Sequence, residues 1–214
     1  MANEMKLHQG MPIELAGAPV DQARAAMILL HGRGASAEDI LSLAREFDAP
    51  DVAFIAPQAA NATWYPNRFI APVAGNEPWL SSALQVVADL MAQLQTAGLP
   101  ASRTFLLGFS QGGCLALEYA ARNAHQYAGV VGLSAALIEN GDQSRQYPGS
   151  LAGTPVFLGC SDADFHIPAS RVDRSAQILT SLGGAVDKRI YPGLGHTVNQ
   201  DELDAVQALL SSER

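Results

Sequence analysis

TFLLGFSQGGCLALEYAARN, residues Thr104–Asn123, decides how the rest of the chain is read. Thr104–Phe109 is a short apolar run suited to a buried strand, and Gln111–Asn123 has the composition of a helix. Between them lies Gly108-Phe109-Ser110-Gln111-Gly112, a G-x-S-x-G sequence at a strand-to-helix turn. Such a turn strains the serine backbone and lifts its hydroxyl above the sheet. Side chains two residues either way would collide, so glycine is needed at 108 and 112. The helix begins beside the serine, so the Gln111 N–H aims its partial positive charge where an oxyanion would form. The competing reading, a serine that merely caps the helix, leaves later strand ends with complementary chemistry unexplained.

Outward from this turn, strand-like and helix-like segments alternate. Ala26–Leu30 and Val52–Ala56 read as strands buried on both faces. Ser36 with Asp39 resembles a capping box for a helix to about Phe47. Gln58–Glu77, with Trp64, Tyr65 and Phe69 among Asn, Pro and Gly, has no sustained period and reads as a long loop. Pro78 opens an amphipathic helix marked by Leu80, Ala83, Leu84, Val87, Leu90, Met91 and Leu94, ended by Gly98. Tyr127–Leu133 and Pro155–Gly159 are further strands around the Gly-rich stretch Ser134–Gly153, which is too short to form a cap domain. A helix through Val172, Ala176, Leu179 and Leu182, a strand Val186–Tyr191 and a helix Glu202–Leu210 complete the chain. The order predicts a parallel sheet covered by helices on both faces, with a site outside the carboxyl ends of the strands.

A serine nucleophile needs a base. Where the nucleophile sits on such a turn, the partners follow in the order Ser, Asp or Glu, His. His196, in Gly195-His196-Thr197 after the last strand, fits that order. His8, His31 and His125 do not, and His166 stands beside the acidic candidates. The acid belongs in the loop after Pro155–Gly159, where Asp162 and Asp164 compete; spacing alone does not choose between them. A second oxyanion donor is expected after an early strand, which points to the backbone N–H of Arg33 in His31-Gly32-Arg33-Gly34. The Arg33 side chain reads either as a solvated charge at the mouth or as a contact for a substrate carboxylate. Trp64 and Phe69 read equally as walls of an acyl pocket and as loop anchors.

The stretch GLPASRTFLLGFSQGG at Gly98–Gly113 resembles the phospholipase/carboxylesterase family of α/β-hydrolases, which includes acyl-protein thioesterases. LLHGRG at Leu29–Gly34, DFHIP at Asp164–Pro168 and GLGH at Gly193–His196 share that resemblance. It implies an α/β-hydrolase fold with a mostly parallel central sheet and no cap domain. It also implies a serine carboxylesterase with the triad Ser110, Asp164 and His196. The aspartate assignment rests on the family's acid lying four residues before the proline, here Pro168. The family's oxyanion donors map onto the N–H groups of Arg33 and Gln111. Arg33 stands where acyl-protein thioesterases usually carry Leu, and Cys160-Ser161 where they carry His-Gly. TWYPNRF at Thr63–Phe69 is closer to bacterial carboxylesterases. The expected substrate is therefore a small ester with a short to medium acyl chain. A thioesterase or lysophospholipase of the same family is the alternative, and a non-catalytic binding protein on this fold is a more distant one.

Composition bounds the rest. With 214 residues, 48% hydrophobic and 16% charged, residues 1–214 are read as one globular domain. The formal charge of −8 disfavours nucleic acid and anionic membrane as partners. Cys114 and Cys160 show no metal or disulfide spacing, and neither metal nor organic cofactor is implied. Met1–Gly10 lacks the apolar core of a signal peptide, and no run is long enough to span a membrane, so the expected location is cytoplasmic, with no stable membrane insertion.

Overall fold

The computed structural model describes residues 7–141, 143 and 145–212; most of the polar N-terminus read above lies outside the described residues. Among the described residues, seven strands and five α-helices follow one another: β1 (Ile13–Gly17), β2 (Ala25–Leu30), α1 (Ala37–Leu41), β3 (Val52–Pro57), α2 (Trp79–Thr96), β4 (Thr104–Phe109), α3 (Gln111–Arg122), β5 (Gly129–Leu133), β6 (Pro155–Ser161), α4 (Ala169–Ser181), β7 (Ala185–Tyr191) and α5 (Gln200–Ser212). They form one sheet of order β1-β3-β2-β4-β5-β6-β7. β1 runs antiparallel to β3, and every other pairing is parallel. This is an α/β-hydrolase sheet.

The central strands are apolar along their whole length because both faces are covered. In β2, Ile28 and Leu30 join the cluster that holds Leu80 and Leu90 of α2, Leu115 and Leu117 of α3, and Val172 and Leu179 of α4. The alternate residues Met27 and Leu29 join the opposite cluster, with Ile40 of α1 and Val206 and Leu210 of α5. The two-residue period of a strand thus divides one run between two cores.

Two elements depart from the sequence expectation. The reciprocal Ser36–Asp39 cap is present, but α1 ends at Leu41 and continues only as a 3-10 turn over Ser42–Glu46. The Ser42 hydroxyl donates to the Asp39 carbonyl (2.7 Å) and competes for the α-helical ladder there. β1 was not anticipated. Its Ile13 and Leu15 are 44% and 66% exposed, so the strand has no buried face to write a period. It exists by pairing with β3 from Ile13 opposite Pro57 to Gly17 opposite Ala53.

The long segment 58–77 is anchored by buried Trp64, Tyr65 and Phe69. Asn76, also buried, accepts the Asn67 N–H (2.8 Å) on its side-chain oxygen. After β5 the chain runs into the core: Ala135–Ile138 are buried, and the Glu139 N–H donates to the Phe69 carbonyl (2.8 Å). None of the described helices is long and apolar enough to cross a membrane.

Behind the nucleophile turn, the buried Glu118 of α3 binds Arg122 Nε and Arg145 Nη2, each at 2.6 Å, and accepts the Tyr147 hydroxyl at 2.8 Å. One carboxylate therefore ties α3 to the segment after residue 144. Removing it leaves two guanidiniums and a phenol without their acceptor. Glu118→Ala is expected to cost about 3 kcal/mol in urea unfolding; a loss below about 0.5 kcal/mol would show that water replaces the carboxylate without penalty.

Candidate active site

Ser110 sits at the carboxyl end of β4 with φ 53° and ψ −118°, a conformation that a residue with a Cβ rarely adopts. Its N–H donates to the Leu133 carbonyl and its carbonyl accepts the Cys114 N–H, both at 2.9 Å. The flanking glycines are sterically obligatory. A Cβ on Gly108 would strike the Gly112 backbone, and one on Gly112 would strike the carbonyls of Leu30 and His31. The turn is therefore pressed against the end of β2.

His196 lies on the loop after β7. Its Nε2 is 2.9 Å from Ser110 Oγ and its Nδ1 is 2.7 Å from Asp164 Oδ2. The other Asp164 oxygen accepts the backbone N–H groups of His166 (2.8 Å) and Ile167 (3.0 Å). Burial alone would push this carboxyl up; the bonds from His196, Ile167 and His166 outweigh it and hold the group below the usual carboxylate range. Asp164 is thus an anion that fixes Nδ1 as the protonated ring nitrogen and leaves Nε2 to accept from the serine. Cys160 Sγ lies 3.8 Å from Asp164 Oδ2, with its thiol pushed up to about 12 by burial and so neutral.

Asp162 does not reach the imidazole. Its Oδ1 accepts the Gly193 N–H (2.7 Å), and the neighbouring Ser161 hydroxyl accepts the Gly195 N–H (3.0 Å). Two side chains at the end of β6 thereby fasten the loop that carries His196. Ser161 was missed by sequence reading, since a serine in a strand end has no distinguishing pattern.

The Arg33 and Gln111 N–H groups have no protein acceptor among the described residues. Gln111 opens α3, and Gly32 beside Arg33 packs against Phe109 and Ser110. Two unpaired donors thus border the serine hydroxyl. Their side chains do something else. The Arg33 guanidinium donates to three successive carbonyls, Tyr65 (2.9 Å), Pro66 (2.9 Å) and Asn67 (2.8 Å). The Gln111 amide accepts the Trp64 N–H (2.9 Å) and donates to the Tyr65 carbonyl (2.7 Å). Arg33 is exposed at the cleft border, as the reading of a charge at the mouth expects, but neither reading anticipates this clamp on segment 64–67.

Trp64 is a loop anchor and not a pocket wall. It is fully buried, its indole N–H bonds the His31 carbonyl (2.9 Å), and its ring packs on His8 and His31. Large size and proximity to a polar loop do not separate the two roles in sequence. The cleft, about 310 Å³, is walled by Tyr65, Phe69, Phe109, Cys114 and Ile167, with Ser110 and His196 at its base and Arg68 and His166 on its border. His31 is structural: burial lowers its pKa and its Nε2 accepts the Ala59 N–H (3.0 Å).

The chain resembles known proteins along nearly its whole length. The profile of the phospholipase/carboxylesterase family matches residues 13–213. Acyl-protein thioesterase 1 of Gibberella zeae is 32% identical over 134 residues, covering 58% of this chain and 54% of the relative. The chain spans about half the length of the first curated relatives it matches. Acyl-protein thioesterase 1 of Eremothecium gossypii is 27% identical over 224 residues, covering 94% and 92%. The crystal structure of a phospholipase/carboxylesterase from Dyadobacter fermentans superimposes with a TM-score of 0.91 at 41% identity, covering 98% of this chain and all of that one.

The clamp carries a stability prediction. Arg33→Leu removes three charge-assisted bonds at a partly hydrated site, for an expected loss of about 2 kcal/mol. In a domain of this size that lowers Tm by about 4–8 °C. An unchanged Tm in differential scanning calorimetry would show that segment 64–67 is held without it.

Proposed function

The chain belongs to the phospholipase/carboxylesterase family, and from that premise we propose that it is a serine carboxylesterase acting on small esters of short to medium acyl chain. The observation that carries this reading is the unbroken relay from Ser110 Oγ through His196 to the buried Asp164, at 2.9 and 2.7 Å.

In this reading Ser110 Oγ gives its proton to His196 Nε2 as it adds to the ester carbonyl carbon. The carbonyl electron pair moves onto oxygen, where the Arg33 and Gln111 N–H groups hold it. Asp164 stabilises the imidazolium that forms without taking its proton. When the tetrahedral intermediate collapses, the bond to the alcohol oxygen breaks and His196 protonates the departing alkoxide. Water then repeats the sequence on the acyl-enzyme, releasing the acid and restoring Ser110. A cleft of about 310 Å³ is at the small end of ligand sites, which favours compact substrates, and its aromatic and aliphatic walls suit an acyl chain. Thioester cleavage is the second reading, favoured by the curated relatives named acyl-protein thioesterase 1. Turnover of p-nitrophenyl esters against acyl-CoA thioesters at matched chain length separates the two. A cytoplasmic setting without a cofactor remains part of the proposal.

The roles of the residues predict a ranked series. Ser110→Ala is expected to lose about 10⁶ in kcat while remaining folded. Asp164→Asn is expected to lose about 10⁴, because the amide can present an N–H to Nδ1 and spoil the tautomer. Asp162→Asn is expected to stay active, since an amide oxygen still accepts the Gly193 N–H. A Ser110→Ala enzyme with a tenth of wild-type turnover, or an Asp162→Asn enzyme as impaired as Asp164→Asn, would remove the assigned residue from the mechanism.

A further inference from the structure

The charge in and around the cleft runs against the charge of the chain. The protein carries a formal charge of −8, yet the cleft is bordered by Arg33 and Arg68 and by no aspartate or glutamate. The nearest carboxylate, Asp164, is buried, and both its oxygens are taken by His196, His166 and Ile167. Elsewhere, most of the described cationic side chains are matched. Seven of the described Lys and Arg residues pair with carboxylates. Four described arginines do not, namely Arg33, Arg45, Arg68 and Arg103, and two of these four border the cleft.

Those two differ in what they have left to offer. Arg33 is spent on the carbonyls of residues 65–67. Among the described residues, the Arg68 guanidinium donates one hydrogen bond, to the His166 carbonyl across the cleft mouth at 3.3 Å. A guanidinium carries five N–H donors, so most of those on Arg68 face no protein acceptor. Its backbone is nonetheless fixed. The preceding carbonyls are clamped by Arg33, the Arg68 carbonyl accepts from the buried Asn76 amide (3.4 Å), and the next residue, Phe69, is buried in the cleft wall. A rigid backbone thus presents an unspent cation at the lip, while an apolar wall begins one residue later.

We propose that this cleft selects esters bearing an anionic group, a carboxylate or phosphate on the part of the substrate that reaches the lip, recognised by the Arg68 guanidinium. The proposal rests on the serine-esterase reading. Planar pairing with carboxylate or phosphate is the chemistry a guanidinium performs best. The substrate is then amphiphilic, with its apolar body against Phe69 and Ile167 and its charge at the mouth. Arg33 contributes by keeping the lip in place and adding positive field.

The test compares charged and neutral esters of similar shape. Monomethyl adipate against methyl hexanoate places a carboxylate on the acyl side. For the alcohol side, 4-acetoxybenzoate and 4-acetoxyphenyl phosphate against phenyl acetate carry carboxylate and phosphate respectively. For each pair, the ratio of kcat/KM, charged over neutral, is measured for wild type, Arg68→Gln and Arg45→Gln. Dividing the wild-type ratio by the variant ratio cancels intrinsic reactivity. The expected result is a fall of about fivefold or more in Arg68→Gln, carried by KM, for at least one placement of the charge. It should shrink with added NaCl, while Arg45→Gln, altered outside the cleft, should keep the wild-type ratio. The placement that responds identifies the charged end, and the benzoate and phosphate arms identify the anion. Ratios unchanged in Arg68→Gln, or lowered equally in Arg45→Gln, would overturn the proposal while leaving the esterase reading intact. Wild-type protein that hydrolyses none of these esters would overturn both.

Discussion

Ser110 at φ 53°, ψ −118° is held in a conformation that costs on the order of 1–3 kcal/mol for a residue with a side chain. The surrounding structure keeps it there. The Ser110 N–H is committed to the end of β5, its carbonyl to the first turn of α3, and Gly112 is pressed against the end of β2. Three central elements thus converge on one residue. Relaxing it would mean separating α3 from β2, a strand with every residue buried. The strain is what points the hydroxyl at His196 while placing the Gln111 N–H beside it. In the proposed mechanism, nucleophile and one oxyanion donor are consequences of a single backbone turn.

The other parts of the site are fastened to that turn by side chains outside the relay from Ser110 to Asp164. Gln111 and Arg33 hold segment 64–67 through its backbone, so residues whose N–H groups border Ser110 also locate the wall of the cleft. On the far side, Asp162 and Ser161 hold the loop of His196 by two of its backbone N–H groups. Each tie joins a loop to a strand end, which is where an open α/β sheet offers rigid points. Positioning here costs few residues, because each strand end supplies both a reacting group and a support.

How far the sequence could be read follows from where these ties lie. β2, β3 and β4 were legible because burial on both faces writes a continuous apolar run, and α2 because one apolar stripe recurs at helical spacing. The meeting of Ser110 with His196 was legible because the turn needs glycines at fixed offsets and the partners follow a set order. β1 left no trace, since Ile13 and Leu15 remain exposed on an edge strand defined only by its partner. The clamp by Arg33 and the anchoring by Trp64 were equally hidden. Both depend on where backbone carbonyls of distant residues fall, and a carbonyl has no letter in the sequence. Asp162 and Asp164 could be separated only by resemblance, because both are within reach of the same loop and differ in which neighbour each faces.

The central claim is that Ser110 is the group that forms the covalent intermediate. Treating the protein with a fluorophosphonate and mapping the adduct by peptide mass spectrometry tests it without any assumption about the natural substrate. The account predicts a single stoichiometric phosphonyl adduct on Ser110, lost when the protein is unfolded before exposure. A folded protein that takes up no label, or takes it up on another residue, would contradict it.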